Sequence, residues 1–557
     1  MKLLSGLAAI AVAATTLVAA PAGAAPMTPT RLAGDWIASQ LTDGIAVGDF
    51  ADIGLSIDAG LAFEAIGDTA GAELVADRIE PALVTSEAYP YGYVTSDEYS
   101  WPGNEYLGQG RYANATAKAA AFAGRVGRDA ATAYDNVDLV AQLEDLTDDA
   151  TGVIGDDTSF SDYANTIGQA FAVEALARAG SDEAGAATQA LLAQQCPAGY
   201  FLFTLGSTEC GDVPSADVTA LAVISLRASG IGSTRVAAAV ALATQWLESV
   251  QKSDGSFEGD ASTPGSNANS TGLAGWALGE VGRSTSAARA AVWTRSMQVA
   301  DAGACASQAP TGAVAYNVAD LSAARTDGIA GSSTVRDKWR RATFQSAPVL
   351  RWAPAATEPL SISTPVSAAE RTTVAATVRG LAAGEQACVS LGGDARRVVG
   401  TGSDLVVSFV LPAGAAARTF TLATLGGTTT STTAAIVTPA PATPAAPATG
   451  ELSVPKVVRV KNNDVVKVEI ACDAARPCAG RLKLRSARKV ELAGGERRTL
   501  VLAKSSYTVA PGATATVKTR LTKPARAVLG KKRLRVVATQ TARGAEPART
   551  TFWIRRR

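Results

Sequence analysis

The 557-residue sequence contains no histidine. That absence excludes a Ser-His-Asp triad, a Cys-His pair and a zinc ion held by imidazole. Any acid–base chemistry falls to Asp, Glu, Tyr or Lys. Cysteine is scarce too: six residues and no C-x-x-C pair, which without histidine leaves no Cys/His metal-ligand set. Cys196 and Cys210 bracket one loop, and Cys472 and Cys478 lie six apart in a strand-rich stretch. Both pairs read as local disulfides of an oxidising compartment. Cys305 and Cys388 are left over, either paired across domains or free. Beyond the N-terminal segment, no apolar run is long enough to span a bilayer. The closing TFWIRRR carries no lipidation or anchor pattern.

The chain also lacks a net charge, but only in sum. Residues 451–557 hold 26 Lys+Arg and 7 Asp+Glu, and residues 1–450 hold 25 and 44, so the two parts carry +19 and −19. Such asymmetry implies different partners for the two ends, or each for the other. The start, MKLLSGLAAIAVAATTLVAAPAGAAP, has one Lys, an apolar run and an Ala22-Gly23-Ala24 cleavage pattern. Residues 1–24 therefore read as a secretory signal peptide. The mature chain is expected to be secreted, and associated with the cell wall if a binding function holds it there.

What is present is a repeat. SIDAGLAFEAIG, TAKAAAFAGRVG, QAFAVEALARAG, TALAVISLRASG and TGLAGWALGEVG end on Gly67, Gly127, Gly180, Gly230 and Gly282. Eight residues before each glycine stands Ala59, Ala119, Ala172, Ala222 or Ala274. Each segment is a good helix former closed by Gly, and its alanines permit close helix approach. A weaker sixth copy, YNVADLSAARTDG, ends at Gly328. Longer amphipathic helices lie between, at roughly 129–146, 182–195, 233–252 and 284–298. TPTRLAGDWIASQL and SSTVRDKWRRATF read as the first and last of them. Small-residue helices suit an inner ring and amphipathic ones an outer ring, in an array that closes on itself.

The joint QWLESVQKSDGSF, with its weaker versions DWIASQLTDG and CPAGYF, resembles the repeat signature of the squalene cyclase and protein prenyltransferase β-subunit superfamily. The resemblance covers residues 28–345 and implies an (α/α)6 toroid. It does not extend to that superfamily's chemistry. Asp148-Asp149 and Asp156-Asp157 lack the cyclases' D-x-D-D spacing and read as turn and cap residues. The prenyltransferase zinc site requires a histidine. GEQAC at 384–388 only shares letters with the complement-type thioester motif.

One joint is enlarged. SEAYPYGYVTSDEYSWPGNEYLGQGRYANAT (86–116) holds six of the eleven tyrosines. Its Tyr91, Tyr93, Asp97, Glu98, Tyr99, Trp101, Glu105 and Tyr106, with Asp58 of the preceding repeat, form the candidate ligand-binding set. Aromatic faces beside carboxylates suit a glycan, a corrinoid or a polyprenyl chain. The same carboxylates can be read as a glycosidase pair, and the same rings as a lid packed on its own ring. The inner-helix polar residues Lys118, Gln169, Thr219 and Thr271 are further candidates for facing the cavity.

After Trp352 the pattern changes to Val/Thr-rich alternation, which indicates strands. GLAAGEQACVSLGG and VSFVLPAGAAARTFTLATLGG resemble bacterial immunoglobulin-like modules, giving a β domain at 358–437. A Pro-rich linker follows at 438–450, then a basic β domain at 451–557 that suits an anionic cell-envelope polymer. No base-reading motif for nucleic acid is present. A toroid followed by β domains also resembles, in architecture only, the cobalamin carriers related to intrinsic factor. The whole reads as a non-catalytic ligand-binding or scaffold protein without a cofactor. The alternative is a terpene cyclase/prenyltransferase-like or carbohydrate-active enzyme with a non-standard acidic site.

Overall fold

The computed structural model describes residues 27–437 and 450–556, except 208, 212, 213, 262, 415, 462, 463, 531, 532 and 543–545. The signal-peptide segment 1–24 lies outside the described residues, as does the linker 438–450 apart from Gly450. The chain divides into two compact units, Met1–Val437 and Thr438–Arg557.

The first unit begins with helices α1 (Pro29–Ser39), α2 (Ile53–Ile66), α3 (Thr69–Ile79), α4 (Ala113–Arg125), α5 (Leu139–Asp145) and α6 (Thr166–Ala179). It continues through α7 (Ala184–Ala193), α8 (Ala216–Ala228), α9 (Thr234–Val250), α10 (Ala268–Glu280), α11 (Ser284–Met297), α12 (Val318–Asp327) and α13 (Ser333–Ser346). A 3-10 segment, Ala347–Trp352, follows. The repeat glycines end their helices as the sequence implies: Gly67, Gly127, Gly180, Gly230 and Gly282 all have φ between 70° and 84°. Starts are capped by Asp52, Asn165, Ser215 and Asn267, each accepting a first-turn backbone N–H.

These helices form a closed cycle. α2 packs on α4, α4 on α6, α6 on α8, α8 on α10, α10 on α13, and α13 returns to α2. The five repeat alanines are completely buried in it. Close approach is strict: a Cβ on Gly60 would stand 2.3 Å from the Phe122 ring, and one on Gly272 would stand 2.3 Å from Ser346 Cα.

The same joint bonds recur around the cycle. Ser56, Thr219, Thr271 and Thr343 hydroxyls accept from the N–H groups of Ala46, Phe201, Phe257 and Val314, and Gln169 Oε1 accepts from Ile154. At the outer-helix ends, Gln195 donates to the carbonyls of Gly199 and Ala239, and Gln251 to those of Gly255 and Ser286. Gln298 repeats the pattern onto Gly312 and Pro29, joining the last outer helix to the first.

Two expectations are corrected. The sixth cycle member is α13, read from sequence as an outer helix, and not the helix ending at Gly328. Thr343 makes the joint bond there, and Ser346 takes the place of the repeat alanine. The amphipathic stretch 129–146 is helical only from Leu139. Asp129 holds a turn by accepting from Ala131 N–H and the Thr132 hydroxyl, and Asp138 then caps α5.

Short strands sit in the joints: β1 (Leu41–Thr42), β2 (Ile45–Val47) and β3 (Ala51–Asp52) before α2, and the hairpin β4 (Thr95–Tyr99), β5 (Tyr106–Arg111) before α4. The rest of the first unit is β6 (Ser361–Ser363), β7 (Ser367–Ala369), β8 (Thr373–Arg379), β9 (Gln386–Leu391), β10 (Asp394–Val399), β11 (Leu405–Val410), β12 (Arg418–Thr424) and β13 (Gly427–Ile436). They make a five-stranded sheet, β10-β9-β12-β13-β7, and a three-stranded sheet, β11-β8-β6. Val374, Val389, Phe409 and Phe420 from both sheets share one core.

The second unit contains β14 (Glu451–Ser453), β15 (Val457–Val460), β16 (Val465–Ala471), β17 (Cys478–Ser486), β18 (Val490–Glu491), β19 (Arg497–Arg498), β20 (Val501–Val509), β21 (Thr514–Arg520), a helix α14 (Lys523–Val528), β22 (Leu534–Thr541) and β23 (Ala548–Arg556). Its sheets run β14-β16-β21 and β15-β23-β22-β17-β20. All six cysteines are paired: Cys196–Cys210 and Cys472–Cys478 as expected, and Cys305–Cys388 between the helical and strand parts of the first unit. No described helix is long and apolar enough to cross a membrane.

Candidate functional site

The C-terminal residues Glu64, Arg125, Arg178, Arg227 and Glu280 of five cycle helices share one pocket. The joints that lead into these helices therefore gather at the opposite, N-terminal mouth. There a cleft of about 500 Å³ is lined by Asp49, Phe50, Asp52, Tyr91, Tyr93 and Tyr112, among others. Deeper in the cycle lies a cavity of about 230 Å³, bounded by Asp58, Lys118, Phe171, Trp276, Arg341 and Phe344, among others.

Asp58 and Lys118 meet between these two spaces. Lys118 Nζ is 2.6 Å from Asp58 Oδ1 and donates to the Gly54 carbonyl at 2.8 Å. Burial works against the Lys118 charge, but Asp58, Tyr93 and Asp52 together outweigh it and hold the ammonium above its ordinary range. Tyr93 stands against Gly54, where an added Cβ would lie 3.4 Å from its hydroxyl. Burial pushes the Tyr93 phenol up, with Lys118 opposing, so it stays protonated. Asp52 caps α2 and pairs with Arg341 at 3.2 Å.

The structure divides the sequence-predicted set. Tyr93 and Tyr91 line the cleft, and Asp58 lines the deeper cavity. Tyr99, Trp101, Glu105 and Tyr106 lie on the β4–β5 hairpin, where the rings of Tyr99 and Tyr106 meet edge to face at 5.6 Å. Trp101 is 94% exposed and Tyr91 81%. Asp97 and Glu98 point to opposite faces of β4. Glu98 is buried and fully engaged by the Thr158 hydroxyl, Ser159 N–H at 2.7 Å and the Tyr112 hydroxyl at 3.2 Å. Burial alone would raise its pKa, but these bonds outweigh it and hold the carboxylate below the usual range. Gln169, Thr219 and Thr271 are joint anchors with no exposed surface.

Of the acidic pairs, Asp148 accepts from Thr151 in a turn and Asp156 accepts from Ala113 N–H at the start of α4, whereas Asp157 pairs with Arg111 at 2.7 Å.

No family model matches the chain, and no curated protein does. Among solved structures, the chain is similar to a glycosidase (16% identity, TM-score 0.38, covering 58% of this chain and 97% of that one). It is also similar to a protein from Actinoplanes (16%, 0.40, 58% and 98%) and to the type II terpene cyclase MstE from Scytonema (13%, 0.38, 58% and 97%).

Sequence reading missed Phe50, Phe160, Tyr163 and Phe203, all exposed. The available signal was position: each lies in an outer-to-inner joint, as the tyrosine-rich segment does. It also missed Asp217, in the first turn of α8. Burial pushes this carboxyl up to about 6, Asp260 adds to the rise, and Ser270 opposes it. The unfolded chain titrates Asp near 3.9, so the folded state binds more protons between about pH 4 and 6. Stability at this site therefore falls as pH rises through that window, by at most about 3 kcal/mol. Asp217→Asn is expected to leave denaturant stability unchanged near pH 4 and to raise it by about 1–3 kcal/mol at pH 7. Equal stability of the two proteins at both pH values would contradict this.

Proposed function

We propose that the helical cycle is an α/α toroid of the terpenoid cyclase–prenyltransferase type, used as an exported, non-catalytic glycan-binding protein at the cell envelope. One observation carries this reading. All eight exposed aromatic side chains among the described residues, Phe50, Tyr91, Tyr99, Trp101, Tyr106, Phe160, Tyr163 and Phe203, lie in the joints leading into α2, α4, α6 and α8. Rings left in water on one mouth, beside Asp97, Asn104 and Glu105, suit stacking on sugar faces with hydrogen bonds to hydroxyls. The immunoglobulin-like sandwich acts as a spacer, and residues 451–557 hold an anionic envelope polymer.

Size argues against a ligand enclosed within the ring. The inner cavity, about 230 Å³, is below the roughly 300–1,000 Å³ of ordinary small-molecule sites, too small to enclose a corrinoid or a folded polyprenyl chain. A cyclase acid must be free to give up a proton, and Asp58 is clamped by Lys118.

The test is titration of the full chain with soluble oligosaccharides from bacterial cell-wall glycan. Trp101→Ala and Tyr91→Ala are each expected to weaken binding about 2- to 12-fold, the loss of one stacked ring. Unchanged affinity in both variants would remove the reading. Release of new reducing ends during the titration would replace it with the carbohydrate-active alternative.

A further inference from the structure

One sheet of the second unit carries positive charge with no negative charge among it. The strands of the β15-β23-β22-β17-β20 sheet contain no Asp or Glu. Their inward positions, among them Val458, Phe552, Ile554, Val536, Leu482 and Leu484, fill the core. The alternate positions point to water and carry Arg459, Arg481, Lys483, Arg485, Lys504, Arg535, Arg549 and Arg555. None of these eight is ion-paired among the described residues, whereas Arg556, at the end of β23, is held by Asp464 at 2.6 Å.

Register aligns the charges. Lys483 stands directly opposite Lys504, and Arg459 opposite Arg555. Thr539 is the cross-strand neighbour of both Lys483 and Arg549, so one row runs Arg549, Thr539, Lys483, Lys504 over four strands. Like charges directly opposite each other destabilise a sheet, and no carboxylate of these strands offsets them among the described residues. Solubility would be served by mixed signs. The three-stranded sheet shows that pattern: Lys467 faces Lys518 there, but Glu451 and Glu469 interrupt the charge. A cost repeated along one face without acidic neighbours, where the other face mixes the signs, points to a ligand outside the fold.

We propose that this face binds a phosphodiester polymer, a chain of short polyols linked by phosphate, laid flat across the strands. Six of the eight cations are arginines, whose planar fork matches phosphate oxygens. The cations lie on a grid of about 4.8 Å across strands and about 6.8 Å along them, so each phosphate of an extended chain can reach two. Trp553 lies within the face, directly opposite Arg535, with the Arg533 guanidinium 4.8 Å above its ring. It gives the polyol carbons an apolar contact between charges. A lipid surface fits less well, because Val457 is the one large apolar side chain exposed among the unit's described residues and no apolar wedge is available for insertion.

This deepens the envelope reading, and the experiment separates the two. Full-length protein is titrated with purified poly(glycerol phosphate), with polygalacturonate, and with phosphatidylglycerol vesicles. The phosphate polymer is expected to bind tightest, with affinity falling at least about tenfold between 50 and 300 mM salt. Lys483→Glu/Lys504→Glu is expected to lose about 30-fold or more, and the fold-conserving Lys483→Gln/Lys504→Gln about 10-fold. The control Lys467→Glu/Lys518→Glu, with the same change in net charge on the other sheet, is expected to lose less than about 3-fold. Trp101→Ala is expected to keep polymer binding, so failure of the glycan reading leaves this result intact. Equal losses on both sheets, salt-insensitive binding, or preference for polygalacturonate or vesicles would overturn the assignment.

Discussion

Replacing Cys305 and Cys388 together, by Ser and Ala, is expected to lower the unfolding free energy of the first unit by about 4–5 kcal/mol. The bridge closes a separation of 83 residues, and in the chain-entropy account a loop of that length restricts the unfolded ensemble by about that amount. Cys196–Cys210, with a separation of 14, is worth about 3 kcal/mol by the same rule. The surrounding contacts show why native geometry is expected to survive the change. Gln386 Nε2 donates to the carbonyls of Ser296 at 2.7 Å and Gln298 at 2.6 Å. Asp301, buried, accepts from Arg325 and Arg397 at 3.0 Å each. Gly384 has φ +76°, and an added Cβ would lie 2.4 Å from the Val292 carbonyl oxygen. The sandwich is thus seated on the helical part by buried polar bonds as well as by the cross-link. Denaturant unfolding without reductant is expected to show the loss as a shifted midpoint with the helical signal intact before the transition. An unshifted midpoint would mean that the reduced, unfolded chain is already compact.

Much of this arrangement can be read from sequence, because the repeat is set by local physics. A helix that must turn sharply ends in a left-handed glycine, and five glycines at near-constant spacing expose the array. The sixth member escaped because α13 runs on into a 3-10 segment, so no glycine marks it. A better marker was present: eleven residues before each repeat glycine stands Ser56, Thr116, Gln169, Thr219 or Thr271. Of these, all but Thr116 accept a bond from the preceding joint, as Thr343 does in α13. The fate of carboxylates was not legible. Glu98 and Asp97 are adjacent and equally plausible as functional groups, yet alternation along β4 buries one against Thr158 and Ser159, sixty residues away. Asp217 reads as an ordinary first-turn acid, and only tertiary burial makes it unusual.

Arg125→Ala is expected to destabilise the first unit by about 3–5 kcal/mol, because it strands a buried charge. Arg125 Nε and Nη2 reach Glu174 Oε1 and Oε2 at 2.7 and 2.6 Å. The side chains are 5% and 0% exposed. Arg178 Nε stands 3.7 Å from the same carboxylate but donates to the Ala228 carbonyl, and Nη1 donates to that of Gly124, so Arg178 replaces Arg125 only in part. The Arg125 guanidinium also lies 5.4 Å over Trp276, whose indole N–H donates to Glu280 at 3.1 Å. Arg351 joins Glu280 to the Ala65 carbonyl. The network sits where helix C-termini converge with unsatisfied carbonyls and partial negative charge, and there cations are favoured. The Glu64 carboxyl, beside it, has no hydrogen bond or ion pair among the described residues. Burial pushes its carboxyl up, against the pull of Arg125 and Arg351, so removing Arg125 is expected to raise it further. A double-mutant cycle decides whether the pair itself matters. Arg125→Met/Glu174→Leu removes both charges and fills the space, and it is expected to recover most of the loss shown by either single change, since burying two charges costs nearly what their attraction returns. Additive losses would instead mean that the two residues act through separate packing and that the ion pair is incidental to closure of this end of the ring.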